Sequence, residues 1–144
     1  MRVVVQRVAR ARVEVRGETV VAIRSGLVVL LGVATADAPE DAQRLAAKVA
    51  RLRIFENEDG RFDRSLLDTG GDALVVSNFT LLADTQKGQR PSFVDAAPPE
   101  LAEPLYQAFC AALEREGLRV CRGVFGARMQ LELVNDGPVT LVLA

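Results

Sequence analysis

No histidine occurs anywhere in these 144 residues. That absence removes the commonest general base and the commonest zinc ligand together. A Ser-His-Asp triad and every His-containing metal site are excluded. Cysteine is scarce as well: Cys110 and Cys121 are the only two, they form no CxxC pair, and they make no disulfide framework. Both read as reduced core residues. Only carboxylates remain to hold a metal, and none follows a calcium-loop pattern, so neither metal nor cofactor is expected. Tryptophan is missing and tyrosine occurs once, which leaves no aromatic residues interleaved with basic ones for stacking bases. The longest apolar run, Leu27 to Val33, is far short of a membrane span, and the N-terminus has no signal-peptide layout. The expected location is the cytosol, away from membranes.

What is present fits one globular domain over residues 1–144, with 49% hydrophobic and 26% charged residues. A net charge of −1 argues against broad, salt-driven nucleic-acid binding, and no DNA partner is expected. The charge is unevenly placed, however. Residues 1–24 hold Arg2, Arg7, Arg10, Arg12, Arg16 and Arg24 against Glu14 and Glu18. This segment is either a solvated strand face or a local phosphate-facing patch.

The opening segments RVVVQRV and ARVEV read as strands, with turns at 16–17 and at RSG flanking a strand ETVVAI. GLVVLLGV follows as a buried strand, giving an antiparallel start. Ala42, Leu45, Ala46, Val49 and Leu52 then take helical spacing, and Asp37 and Glu40 are spaced as a capping box. NEDG at 57–60 reads as a turn, and LLDTGGD leads into a strand at 73–78. A second helix is expected over about 100–116, ending at Gly117. Pro104 requires that helix to begin near Glu103 or to bend. LRVCRGVF and ARMQLELV read as strands, NDGP as a turn and VTLVLA as the last strand. The expected class is α/β or mixed α+β, with a mixed sheet and two main helices.

One stretch, VVSNFTLLADTQKGQRPSF at 75–93, is not ordinary packing. Two hydroxyls and an amide crowd the end of a buried strand, and a loop carrying Lys87, Gly88, Arg90 and Pro91 follows. Together with MRVVVQRV, GLVVLLGV, KGQRPSF and GVFGARMQLELVNDGPVT, this stretch makes the chain closely resemble the D-aminoacyl-tRNA deacylases, nearly end to end. The resemblance implies hydrolysis of the ester joining a D-amino acid, or glycine, to the tRNA 3′ end. It also implies a compact homodimer on a curved, barrel-like sheet. The family's Ser-Gln-x-Thr motif falls on Ser77, Asn78, Phe79 and Thr80, with asparagine at 78 where the family usually has glutamine. Its Gly-Pro motif, which enters the partner subunit's active site, falls on Gly137 and Pro138. An aromatic lining the terminal-adenosine pocket falls on Phe125, and Met129 lies near the site at the subunit boundary. A cis Gly137–Pro138 bond that excludes the L isomer sterically is the expectation.

An aminoacyl ester is already activated, so modest stabilisation of its tetrahedral intermediate suffices. Backbone N–H groups at Phe79 and Thr80 could form an oxyanion hole, each donor contributing about 3 kcal/mol. Ser77 or Thr80 could instead act as nucleophile, but the sequence offers no adjacent base. The resemblance favours assistance by the 2′-hydroxyl of the terminal adenosine. Taken singly, Ser77 and Thr80 read as hydroxyls satisfying backbone, and Phe125 and Met129 as core. Only their joint occurrence points to a site. The rival readings are a non-catalytic RNA-binding module and a general esterase, the latter without a G-x-S-x-G elbow.

Overall fold

The computed structural model describes residues 1–144. A six-stranded sheet is built from β1 (Arg2–Val15), β2 (Glu18–Ile23), β3 (Gly26–Gly32), β6 (Asp72–Ser77), β7 (Arg119–Arg122) and β8 (Gln130–Leu143). Between β3 and β6 lie α1 (Pro39–Arg51), the two-stranded β4 (Phe55–Glu56) and β5 (Phe62–Arg64), and a short α2 (Leu66–Thr69). A 3₁₀ turn, Phe79–Leu82, follows β6, and α3 (Pro99–Arg115) precedes β7. Strand order is β2-β1-β3-β6-β7, with β8 on the other edge of β1. The β1 pairings with β2, β3 and β8 are antiparallel, whereas β3–β6 and β6–β7 are parallel. The sheet is nearly closed into a barrel, in a mixed α+β domain as expected. No helix is long and apolar enough to cross a membrane.

Alternation along buried strands creates two apolar faces. In β3, Leu27, Val29 and Leu31 face the helices, while Val28 joins the barrel interior. In β6, Ala73 and Val75 take the helix side, and Leu74 and Val76 the interior. Leu45, Ala46 and Val49 of α1 and Phe109 and Leu113 of α3 cover the first face. Each of the Leu, Val and Phe side chains contributes roughly 1.5–3 kcal/mol through burial.

Several expectations are corrected. RVVVQRV and ARVEV form one strand rather than two, because β8 pairs along nearly all of it. Val8 and Arg10 oppose the adjacent Asn135 and Val134, so β1 bulges by one residue there. The bulge turns Ala11 and Val13 to the side occupied by Val8. NDGP is no strand-ending turn, since β8 runs through it. Gln6 pairs with Thr140 and Val8 with Asn135, which leaves Asp136 to Val139 as a four-residue excursion opposite Arg7 alone. The Asp37–Glu40 capping box does not form. Asp41 instead accepts the Ala38 N–H at 2.9 Å, and Asp37 binds the Met1 ammonium at 2.6 Å and the Ala34 N–H at 2.7 Å. α3 begins at Pro99 and carries Pro104 internally as its sixth residue, where the ring leaves the Glu100 carbonyl without its i+4 donor. β7 stops at Arg122, where the Gly123 N–H turns to the Val75 carbonyl at 3.0 Å. Phe125 and Met129 therefore sit in a connection, not in strands.

Candidate active site

Where the parallel ladder of β3 and β6 ends, at the Leu31–Ser77 pair, the chain opens a cleft of ≈ 510 Å³. One wall is Ser77, Asn78 and Phe79. A second comes from the 93–102 segment, with Phe93, Ala96 and Ala97 among its residues, and a third from the β7–β8 connection with Phe125 and Met129. Val33 closes the base. The lining comprises 13 residues, and none has an ionisable side chain.

The wall at 77–79 is held by backbone. The Asn78 N–H donates to the Leu31 carbonyl at 2.8 Å, continuing the ladder one residue past β6. The 3₁₀ turn then folds back over Gly32. A Cβ at Gly32 would stand 2.4 Å from Leu82 Cδ2 and 3.0 Å from the Asn78 carbonyl oxygen, so only glycine permits that approach. The Phe79 and Thr80 N–H groups open this turn, and the first amides of such a turn have no acceptor within it. Thr80 Oγ1 donates to Asn78 Oδ1 at 2.5 Å. Thr80 itself is exposed and does not line the cleft.

At the mouth, the exposed Phe79 meets Phe93 edge-on, with ring centroids 5.1 Å apart. Deeper, Phe125 leans on Tyr106 at 5.9 Å, and the Tyr106 hydroxyl donates to the Val75 carbonyl at 2.8 Å. Burial pushes that phenol well above its ordinary value, so it serves as a fixed donor. Met129 packs on Gly123, its sulfur 3.0 Å from where a Cβ would stand.

Gly137 and Pro138 do not join this cleft. They are exposed on the β8 excursion, with a cis peptide between them and Gly137 at φ 130. The Asn135 side chain clamps the base of the excursion, donating to the Val139 carbonyl at 3.1 Å and accepting its N–H at 3.2 Å. Beneath lies Arg7, only 5% exposed. Its Nε donates to the Asp136 carbonyl at 3.1 Å and its Nη1 to the Ile54 carbonyl at 2.7 Å. The guanidinium lies over the Phe55 and Phe62 rings, at 6.0 and 5.7 Å, with Glu56 and Asp136 carboxylates at 3.5 Å.

The structure thus brings Ser77, Asn78, Phe79, Phe125 and Met129 together and leaves Thr80, Gly137 and Pro138 outside. Sequence reasoning missed Arg7 and Phe93. Arg7 had a signal, since it stands in the core-facing register of Val3 and Val5, where a charge needs a reason. The N-terminal arginines form no single patch: Arg7 is buried, Arg2 holds the Leu81 carbonyl at 2.7 Å, and Arg12 pairs with Glu132 at 2.8 Å.

Residues 4–144 match the family model described as D-Tyr-tRNA(Tyr) deacylase. The chain belongs to that family. A D-aminoacyl-tRNA deacylase of Roseiflexus castenholzii is 59% identical over 143 residues, 99% of this chain and 91% of that protein. Its counterpart from Thermus aquaticus is 56% identical, covering 99% of this chain and 94% of its own length. A solved structure titled c-Myc DNA Unwinding Element Binding Protein superposes with a TM-score of 0.93 at 42% identity, covering 100% of this chain and 98% of that one. A probable eukaryotic D-amino acid tRNA deacylase has the same fold, with a TM-score of 0.86 at 20% identity over 99% and 97% of the two chains. Family membership makes the chain a hydrolase and the cleft its candidate active site.

Proposed function

We propose that this chain hydrolyses the ester linking a D-amino acid to the 3′ end of tRNA, with the substrate's own 2′-hydroxyl assisting the reaction. The observation that carries this reading is a cleft without one ionisable side chain, built on the Ser77–Thr80 segment of a deacylase-family chain. A site lacking acid and base must take its proton transfers from water or substrate. The vicinal hydroxyl of the terminal ribose is next to the scissile ester and can orient the attacking water.

The protein's share is positioning and charge stabilisation. The Phe79 N–H, on the cleft wall, is the donor for the developing oxyanion, and loss of such a donor slows acyl transfer by roughly 10²–10³. Ser77 and the Asn78 amide are the polar groups of the same wall, and Phe125 and Met129 receive the adenosine end. The Asn78 amide is committed to Thr80, which fixes its orientation. Thr80 is then a positioning residue rather than a nucleophile.

Gly137 and Pro138 are the residues that discriminate chirality, acting on the cleft of a second copy in a twofold dimer. Their exposure, their absence from their own cleft and the rigid mounting on Arg7 and Asn135 support this role. Backbone held in this way cannot rotate aside for an L side chain. Glycine has no side chain to exclude, so glycyl-tRNA is also a substrate.

The test is one tRNA charged with D- and, separately, with L-tyrosine. Rapid release of D-tyrosine with the L ester untouched is expected. Equal rates, or no release of either, overturn the proposal.

A further inference from the structure

We infer that the 84–92 hairpin, together with Arg128, is a phosphate-gripping rail for the single-stranded 3′ end of the RNA, leading it into the cleft. This rests on the tRNA substrate proposed above. The hairpin is pinned at its base by a reciprocal pair of bonds, Asp84 N–H to the Ser92 carbonyl and Ser92 N–H to the Asp84 carbonyl, both at 2.8 Å. Asp84 Oδ1 also accepts the Gln86 N–H at 2.9 Å, which ties that carboxylate to the base of the turn. The next residue after that base, Phe93, is a cleft wall and touches Phe79. The hairpin therefore projects from the rim itself.

Between those anchors, residues 85–91 carry Lys87 and Arg90 and no acidic residue, and both cations are exposed. Arg128 lies between Ala127 and Met129, both cleft-lining, and is exposed too. None of the three joins an ion pair, whereas Arg12, Arg51, Arg53, Arg119 and Arg122 do. Other free cations, such as Arg16 and Arg24, sit on the β1–β2 and β2–β3 turns, away from any segment that builds the cleft. The 93–102 wall carries Asp95 and Glu100 instead, and Arg2, also outside any ion pair, is held on the Leu81 carbonyl at 2.7 Å, so the rim cations that bond no protein group are Lys87, Arg90 and Arg128.

The cleft itself offers no charge, yet the nucleotides preceding the terminal adenosine each bring one phosphate. Unpaired, exposed cations at the entrance supply the missing counter-charge. Recognition of this kind is independent of sequence and sensitive to salt. Net charge near zero is compatible with it, because only a few phosphates are held.

The test is binding of an uncharged RNA hairpin with a single-stranded 3′ overhang, read by fluorescence anisotropy across a salt series. Lys87→Gln/Arg90→Gln/Arg128→Gln should weaken binding about tenfold or more at low salt. It should also flatten the slope of log K against log salt by about 2, since each single-strand phosphate contact contributes about 0.7. With D-tyrosyl-tRNA the same variant should raise KM and leave kcat within about twofold, and the loss in kcat/KM should be much smaller on D-tyrosyl-adenosine, which lacks the preceding phosphates. An unchanged salt slope, or equal losses on tRNA and on D-tyrosyl-adenosine, overturns the rail. The binding arm needs no hydrolysis. A wild-type protein that binds with the expected slope but cleaves neither D ester would refute the proposed activity while sustaining this inference.

Discussion

Thr80 donates its hydroxyl proton to the side-chain oxygen of Asn78 at 2.5 Å, two residues back along the same turn. An amide oxygen cannot accept that proton outright, so the contact orients the hydroxyl without activating it. Thr80→Ala should consequently slow turnover by about tenfold or less, the scale of one neutral hydrogen bond. Thr80→Ser should restore most of the loss. Mass spectrometry of quenched reactions checks the alternative: an acyl adduct on Thr80, or a loss of several orders of magnitude, would establish it as a nucleophile.

Arg7 should matter out of proportion to its distance from the cleft. Arg7→Ala leaves the Ile54 and Asp136 carbonyls without their donor and a void between Phe55 and Phe62. Two hydrogen bonds from a charged donor contribute about 3–6 kcal/mol together, which for a chain of this size lowers Tm by roughly 10–20 °C. Arg7→Lys keeps the charge but loses the planar fork, and should fall between. Below its melting transition, Arg7→Ala should also hydrolyse D-tyrosyl-tRNA more slowly, because the Gly137–Pro138 excursion loses its support. An Arg7→Ala protein with wild-type Tm would show that Arg7 does not support the fold.

How much of this was legible before the structure depends on whether the signal was local. Helices α1 and α3 show in the spacing of Leu45, Val49, Leu105 and Phe109, because amphipathic periodicity is written in neighbouring residues. The Asn57–Gly60 turn shows for the same reason: the Asn57 side chain accepts the Asp59 and Arg61 N–H groups within the segment itself. The run through NDGP did not, since a proline after glycine reads as a turn unless one knows that β1 holds the chain on both sides of it. The capping box failed because Asp37 had a stronger distant partner in the Met1 ammonium. At the site, Ser77, Asn78 and Phe79 were readable as a polar break after a buried strand. Phe93 and the 93–102 wall were not, because only the tertiary contact of Phe93 with Phe79 brings them to the cleft.

The cysteines should be dispensable for activity. Cys110 is buried on α3, and burial pushes its thiol up to about 11, which leaves almost no thiolate at neutral pH. Cys121 is partly exposed, and burial raises its thiol as well. Thiol labelling of the native protein at neutral pH should modify Cys121 slowly and Cys110 not at all until the protein unfolds. Fast labelling of Cys110 would mean that α3 opens from the sheet.

Acid should weaken the fold through two helix-capping carboxylates and one ion-paired one. The Ala38 N–H holds the Asp41 carboxyl below the usual range, the Ser65 N–H does so for Asp68, and the Arg53 guanidinium does so for Asp63. A folded-state value below the unfolded one, about 3.9, means the contribution is complete above that pH and is lost as pH falls through the folded value. The melting temperature should stay nearly flat down to about pH 5 and drop below about pH 4. Asp41→Asn and Asp68→Asn should lower it at neutral pH and shrink the acid drop. A variant with an unaltered acid limb would show that its carboxylate does not contribute.

In the proposed mechanism a cleft with no ionisable side chain borrows its reactive group from the RNA. The most direct measurement is single-turnover hydrolysis of a D-tyrosyl-tRNA ending in 2′-deoxyadenosine, with the ester on the 3′-oxygen, beside the normal ribose substrate. Similar binding is expected, with a rate lower by about 10² or more, the scale of losing positioned general acid–base assistance. Equal rates on the two substrates would contradict it and would require a catalytic group from the protein.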